Sequence, residues 1–307
     1  MEKPSASAIE KSVAGNKTRD KVFAIVGLLC TFIGMLTLAA LLFDLSSDGL
    51  ARIKPHFFTS FPSRFAGQAG ILSSWVGTIL VMIVTALAAV PIGVGAGVYL
   101  EEYAPKNWLT ALIEINIANL AGVPSIVYGL MALGLFVYQF KFGQSILSAG
   151  LTLALLILPI IIVATRESLR AVPGSMREAA YALGATKWQT TSDHVLPYSM
   201  GGILTGVIIG LSRAIGETAP LITIGALTFI AFLPDAPIKA EFPFISFEWL
   251  WSPYSVMPIQ MFNWVSRPQA EFHLNAAATG LILMAMTLAM NAVAIYFRYR
   301  FRKRIKW

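Results

Sequence analysis

The chain has 307 residues, of which 56% are hydrophobic and only 13% are charged, and its mean hydropathy is +0.70. These values lie above the range of soluble globular domains and indicate a protein of the lipid bilayer. The formal net charge is +7, but the basic residues cluster beside apolar segments. Such clusters are typical of membrane topology signals and lipid-headgroup contact, so we expect no nucleic-acid partner.

The sequence offers no catalytic or metal-binding pattern. Its only cysteine, Cys30, lies in an apolar segment, which excludes an intrachain disulfide and cysteine-based metal sites. The histidines His56, His194 and His273 are scattered, and the patterns HExxH, GxSxG and GxxxxGK[ST] are all missing from the sequence. We therefore expect no enzyme activity, no metal and no cofactor in this chain. Any ATP would be bound by a separate partner subunit.

Six apolar segments are long enough to cross a bilayer, which takes about 20 helical residues each. They predict an all-α integral membrane protein. The first segment follows a polar tail and is too long for the apolar part of a signal peptide, about 7–15 residues, so we interpret it as an anchor. The six segments are 22–43, 71–98, 118–139, 149–165, 199–233 and 276–297.

The second and fifth segments contain helix-disturbing residues. Pro91, Gly93 and Gly95 interrupt the second, and Gly216 and Pro220 interrupt the fifth. For Pro91 we favour close packing of neighbouring helices through glycine. The fifth segment, with about 35 apolar residues, is too long for one straight helix. A break there is typical of backbone that lines a cavity or is packed by other helices.

Lysine and arginine fix the expected orientation in the membrane. The segments 1–21, 101–117, 166–198 and 298–307 together carry 16 of them, whereas the loops on the other side carry 6. By the positive-inside rule, both chain termini are expected in the cytoplasm of a multi-pass membrane protein.

The external loop 234–275 is rich in aromatic residues and poor in charges. We interpret it as a segment at the membrane interface, where aromatic side chains are enriched. A landing surface for a soluble delivery protein is the alternative, because exposed aromatics favour partner contacts. The aromatic residues are Phe242, Phe244, Phe247, Trp249, Trp251, Tyr254, Phe262 and Trp264.

The cytoplasmic run EAAYALG at 178–184, followed by HVLP at 194–197, suits a docking loop. Its alanines are small helix formers that let a partner approach closely, and Gly184 is expected to end the helix. Leu196 and Pro197 are expected to stop the segment that follows. The spacing resembles the signature loop of permease subunits in binding-protein-dependent ABC importers, in which a short helix inserts into the ATPase. His194 departs from that pattern, which usually has an aliphatic residue there. The coupling residues are then Glu178, Ala179, Ala180, Gly184, Leu196 and Pro197.

Arg213 and Glu217 are the only charged residues inside the predicted spans. A charge in the membrane costs at least about 2.5–3.5 kcal/mol, so the two are expected to pair or to face a wet cavity. Their i, i+4 spacing places them on one helix face. A guanidinium matches a tetrahedral oxyanion bidentately, and the glutamate weakens this attraction enough to permit release. Ser212 and Thr218 can add hydroxyls to this substrate pathway; a purely structural salt bridge is the alternative.

Five longer motifs resemble the A permease subunit of phosphate-specific (Pst) ABC importers, from about residue 70 to the C-terminus. The sister C subunit typically has GETM where this chain has GETAP. The resemblance implies a six-helix, MetI-like type I transmembrane domain in the cell inner membrane. It also implies a sister permease (PstC-like), two copies of a cytoplasmic ATPase (PstB-like) and a periplasmic phosphate-binding protein (PstS-like). The motifs are VPIGVGAGVYLEEYA at 90–104, AGVPSIVYGL at 121–130, REAAYALGATKWQT at 177–190, GLSRAIGETAP at 210–220 and MPIQMFNW at 257–264.

The expected function is that of a permease subunit that moves inorganic phosphate inward, with ATP hydrolysed elsewhere. An importer of phosphonate, sulfate or molybdate is the near alternative, because the docking loop is shared among them. A secondary transporter is disfavoured by the docking loop and by the lack of an internal repeat. The expected domains are a cytoplasmic tail at 1–21, the first transmembrane helix and external loop at 22–69, the permease domain at 70–297 and a basic cytoplasmic tail at 298–307.

Overall fold

The structure is a computed structural model that describes residues 6–237 and 246–304, and within these ranges it contains helices and no β-strand. The long apolar runs favour this outcome, because a helix satisfies its own backbone hydrogen bonds in lipid. The helices are α1 (Ala6–Gly49), α2 (Pro55–Thr59), α3 (Leu72–Val98), α4 (Trp108–Leu120), α5 (Ser125–Ala132), α6 (Ile146–Arg170), α7 (Gly174–Ala182), α8 (Lys187–Gln189), α9 (Leu196–Gly216), α10 (Ala219–Thr223), α11 (Met257–Val265) and α12 (Ala270–Arg304).

Three wide, π-helical segments extend or join these helices. Tyr99–Tyr103 continues α3, Leu133–Gln139 continues α5, and Thr190–Val195 joins α8 to α9. Short α10 is separated from α9 by two residues only. The chain therefore has long continuous helical rods with local widenings near their ends.

Five of these rods are long and apolar enough to cross a membrane, which makes the chain a multi-pass membrane protein. A sixth crossing exists if α4 and α5 with its extension count as one broken span. The five rods are Arg19–Arg52, Leu72–Tyr103, Ile146–Arg170, Lys187–Gly216 and Ala270–Arg300.

The predicted span 118–139 is not one continuous helix. The chain bends by 106° between Trp108–Leu120 and Ser125–Gln139. Pro124 stands directly before α5 in an extended conformation. Proline disfavours helical backbone at the residue before it, so α4 ends and a new helix direction begins.

The core lies where α3, α6 and α9 pack together. A Cβ added at Gly97 would lie 2.6 Å from Cβ of Thr165, and one at Gly93 would lie 2.7 Å from Cγ2 of Ile161. These helices approach so closely because glycine has no side chain. Pro91 lies inside an unbroken α3, in agreement with the packing interpretation, although Gly95 has no neighbour within 4 Å at its Cβ position.

Half of the described aromatic residues in the predicted external loop are buried in the protein, so the interfacial interpretation applies at most to the other half. Trp249, Tyr254 and Trp264 are buried. The Trp264 ring lies 6.0 Å from the ring of Phe57 and 6.5 Å from that of Phe272, centroid to centroid. Phe57, Trp264 and Phe272 belong to a second core formed by α2, α11 and the start of α12, whereas Trp249 and Tyr254 belong to the first core. Only Phe247, Trp251 and Phe262 are exposed, and Phe242 and Phe244 lie outside the described residues.

Candidate coupling loop and substrate pathway

Helix α7 carries the EAA run and ends at a glycine cap. The Ala185 N–H donates to the carbonyl of Ala180 at 3.1 Å, and the Gly184 N–H donates to the carbonyl of Tyr181 at 2.9 Å. This pair of bonds is a Schellman motif, which requires left-handed backbone at the residue after the helix. Gly184 has φ of +85° and supplies it. The structure therefore agrees with the prediction that Gly184 ends the helix.

The second half of the loop starts a new helical rod. The Gln189 N–H donates to the Thr186 hydroxyl and the Thr186 N–H donates to the Gln189 side chain, which together form a capping box. The rod then runs through the π-helical segment into α9 without a stop. The prediction that Leu196 and Pro197 end a segment is wrong, since they begin α9. Proline is tolerated in the first turn of a helix, where its missing N–H is not needed.

His194, the departure from the family pattern, lies on the exposed side of the π-helical segment. Its neighbour Val195 is fully buried and packs with Leu169 and Val172. The aliphatic contact between the loop and the end of α6 is therefore made by position 195. A polar residue at 194 leaves it intact.

The loop presents apolar side chains to solvent. Leu183 is 89% exposed and Trp188 is 64% exposed, one on each side of the glycine cap. Glu178 and Ala179 are also exposed, whereas Ala180 is buried against the rest of the chain. Exposed apolar groups on a loop between membrane-spanning helices are typical of a surface for a protein partner. Sequence analysis overlooked Leu183 and Trp188, although large apolar residues in a polar loop are a readable signal.

Arg177, the residue before the EAA run, anchors α7 to two other helices. Its guanidinium donates to the Glu102 carboxylate at 2.7 Å, and to the carbonyls of Leu169 at 3.0 Å and Val172 at 2.9 Å. The Glu102 side chain is only 7% exposed. One arginine therefore joins the coupling helix to the extension of α3 and to the end of α6.

Further ion pairs lie next to the Arg177–Glu102 pair. Arg170 pairs with Glu101 at 3.0 Å, and Arg166 pairs with Glu114 of α4 at 2.6 Å. Arg166 is buried within the apolar rod of α6. Arg213 and Glu217 are therefore the only charged residues of the predicted spans but not of the observed rods, because α6 continues to Arg170, five residues beyond the predicted segment.

Arg213 and Glu217 form an ion pair at the end of α9. The distance from Nε of Arg213 to Oε1 of Glu217 is 3.2 Å, and the two side chains are 40% and 19% exposed. Helix α9 ends at Gly216, and Glu217 already has extended backbone. Arg213 therefore lies just before the break in the fifth segment and Glu217 just after it. The guanidinium remains accessible from outside the bundle.

Ser212 and Thr218 stand on either side of this pair but have different surroundings. The Ser212 hydroxyl lies 2.6 Å from Oδ1 of Asn291 and 2.7 Å from the carbonyl of Ile208. It therefore ties α9 to α12. The Thr218 carbonyl accepts the N–H groups that begin α10. Sequence analysis overlooked Asn291, although it is the only amide side chain in the sixth predicted segment.

The motifs at 121–130 and 210–220 contact each other next to the helix break after Gly216. A Cβ at Gly129 of α5 would lie 2.7 Å from Cα of Pro220, so α5 and α10 pack with backbone contact. The Tyr128 hydroxyl donates to the carbonyl of Leu120 at 2.8 Å and spans the bend between α4 and α5. The position of the Arg213 pair is thus determined by α5, α10 and α12 together with α9.

A membrane bundle of apolar rods with an exposed EAA loop defines a transport permease. The family described as binding-protein-dependent transport system inner membrane component matches residues 89–307, and the chain belongs to this family. The fold is similar to that of the MetNI methionine ABC transporter in its inward-facing form. That likeness has a TM-score of 0.54 at 16% identity and covers 75% of this chain and 94% of the other.

Sequence relatives confirm the resemblance to Pst permeases. The chain is 31% identical over 290 residues to the phosphate transport system permease protein PstA of Yersinia pestis, covering 92% of this chain and 91% of that protein. It is 32% identical to PstA 1 of Mycobacterium tuberculosis H37Rv, covering 80% and 74%. It is also 29% identical to the probable ABC transporter permease protein YqgI of Bacillus subtilis 168, covering 90% and 94%.

Proposed function

We propose that this chain is the permease subunit of an ATP-driven importer of inorganic phosphate. The observation that carries the proposal is the accessible Arg213 guanidinium at the helix break, held 3.2 Å from Glu217. Two of the relatives are phosphate transport permeases, and their similarity extends across this part of the chain. Membership of an importer family argues against the secondary-transporter alternative.

The Arg213–Glu217 pair suits transient rather than tight binding of an anion. A guanidinium can donate two parallel hydrogen bonds to phosphate oxygens. Glu217 competes for the same donors, so the anion is bound only transiently, as transport requires. Glu217 stands past the end of α9, where it is not held by helical backbone and can swing away from Arg213. Ser212 and Thr218 are the polar neighbours along this pathway.

The remaining subunits supply what this chain does not. We assign ATP binding and hydrolysis to two copies of a PstB-like ATPase that dock on the EAA loop, and no cofactor to the chain itself. A PstC-like sister permease completes the membrane pathway, and a PstS-like periplasmic protein delivers phosphate. The coupling residues are those around the glycine cap, where Leu183 and Trp188 are exposed.

Contacts between distant segments support an orientation with both termini in the cytoplasm. The Glu102–Arg177 pair places the extension of α3 and the coupling loop on the same side of the bundle. The Phe57–Trp264 contact places the two predicted external loops together. Both groupings agree with the distribution of lysine and arginine.

The proposal is tested with the complete complex in proteoliposomes loaded with ATP. We expect labelled phosphate to enter only when the ATPase and the periplasmic binding protein are both present. Excess unlabelled phosphate should compete, while sulfate, molybdate and a phosphonate should not. Uptake of one of these anions in place of phosphate would identify the corresponding alternative importer and refute the phosphate assignment.

A further inference from the structure

We propose that the Glu102–Arg177 ion pair is the mechanical link through which movement of the coupling helix α7 reaches the membrane-spanning helix α3. Both are positioning residues for transport, since neither lies beside the Arg213 pathway. This inference rests on the proposed function, in which α7 docks on an ATPase.

The geometry of Arg177 fixes α7 in three directions. The same guanidinium binds the Glu102 carboxylate and the carbonyls of Leu169 and Val172, at distances between 2.7 and 3.0 Å. Because the donors of a guanidinium lie in one rigid plane, the three acceptors cannot shift relative to one another without loss of a bond. Arg177 also immediately precedes Glu178 of the docking run. A displacement of α7 must therefore carry the extension of α3 with it.

Burial distinguishes this pair from its neighbour. The Glu102 side chain is 7% exposed, so separating it from Arg177 would leave an unpaired buried charge, which is costly. Arg170, in contrast, is half exposed, and its pair with Glu101 lines a cavity of about 290 Å³. Water can replace that pair with little loss. Of these two pairs, the Glu102–Arg177 pair is the one that should persist while the loop moves.

Beyond Glu102, a close-packed path leads toward the substrate pathway. The extension at 99–103 is continuous with α3, which contacts α6 through Gly93 and Gly97. Helix α9 contacts α6 through Gly206, whose Cβ position is occupied by the side chain of Ala164. Packed interiors of this kind transmit displacement rather than absorb it. Arg213 lies in the last turn of α9, so the path joins the docking loop to the proposed anion site.

The test compares Glu102→Gln and Arg177→Gln with Arg170→Gln as the matched control. Each variant is assembled with its sister permease, ATPase and binding protein, and three quantities are measured: ATPase copurification, ATP hydrolysis and phosphate moved per ATP hydrolysed. We expect the first two variants to retain the ATPase but to move about tenfold less phosphate per ATP. The control should behave like the wild-type complex. A purely structural role would lower assembly and leave this ratio unchanged.

A normal ratio in assembled Glu102→Gln and Arg177→Gln complexes would overturn the link. If those variants assemble poorly, Arg177→Lys decides, because it keeps the charge but cannot bond the carboxylate and both carbonyls in one plane. A lowered ratio in that variant supports the link and a normal ratio refutes it. The wild-type complex tests the substrate assignment separately. If that complex transports sulfate instead of phosphate, the phosphate assignment is refuted, and the proposed link is then tested by the amount of sulfate transported per ATP hydrolysed.

Discussion

Helices α1 and α6 have similar hydropathy but opposite surroundings. The apolar window of α1 has a mean hydropathy of 2.5 and is 0% buried within the chain, whereas that of α6 has 2.8 and is 67% buried. Gly27 and Gly34 of α1 have no neighbour within 4 Å at their Cβ positions, while Gly150 of α6 packs directly on Val84. Hydropathy therefore decides which segments enter the bilayer. A glycine allows close helix packing only where another helix of the chain lies opposite it.

The most severe test of this comparison places the same bulky residue on both kinds of helix. Gly97→Leu should destabilise the fold by about 3 kcal/mol or more, because its Cβ would lie 2.6 Å from that of Thr165 on α6. Gly27→Leu should leave stability unchanged, since α1 is open there. Thermal unfolding in detergent, followed by size-exclusion chromatography, measures both. Equal stability of the two variants would contradict the division into packed and open helices.

Helix α9 combines both kinds of surroundings. One face packs on α6, and its end carries the accessible Arg213, which we assign to the substrate pathway. Arg213→Gln should lower phosphate uptake by more than about tenfold, since it removes charge-assisted hydrogen bonds and leaves Glu217 unopposed. Assembly and basal ATP hydrolysis should remain. Glu217→Gln should be milder, because an attractive arginine stays in place. Uptake is compared among both variants and the double variant at equal assembly.

Near-normal uptake by Arg213→Gln would refute the pathway assignment. Loss of assembly in that variant would instead favour the structural salt bridge. The double variant separates these outcomes further, because it removes the unopposed glutamate. Recovery of assembly without recovery of uptake would show that the arginine itself is needed by the anion.

The coupling loop adds a third kind of glycine, required by backbone conformation. Gly184→Val should impose about 1–3 kcal/mol of local strain, because its φ of +85° is unfavourable for a β-branched residue. The cap of α7 should then open, and copurification of the ATPase should fall. Gly174→Val, at the start of the same helix with open space at its Cβ, is the control. Equal copurification by both variants would show that the cap does not shape the docking surface.

The smallest effect on transport is expected from single-cysteine variants that report on which side of the membrane each loop lies. In a Cys30→Ala background, Thr59→Cys should react with a membrane-impermeant thiol reagent added from outside, and Ser175→Cys should react only after permeabilisation. Both positions are exposed in the structure, so accessibility is set by the membrane side. Transport should be unaffected in either variant. The reverse labelling pattern would invert the orientation.

Sequence analysis located features that depend on local composition. It placed the apolar rods, the glycine end of the docking helix and the break near Gly216, because each has a signal within a few residues. It failed where partners are distant in sequence. Trp264 packs on Phe57, and Arg177 pairs with Glu102, across long stretches of chain. Nothing in the local pattern around Pro197 distinguishes a stop from a helix start, so that position was misjudged, and the bend before α5 at Pro124 was not predicted.

The π-helical segment Thr190–Val195 has a consequence for chain length. Such a wide turn accommodates one residue more than an ordinary helical turn. Removing one residue there can relax it to a regular helix while the segments on both sides keep their orientation. The same deletion in the middle of α9 would rotate everything after it by about 100°, since the helix has about 3.6 residues per turn. A one-residue deletion between the docking loop and α9 can therefore leave Arg213 on the same helix face.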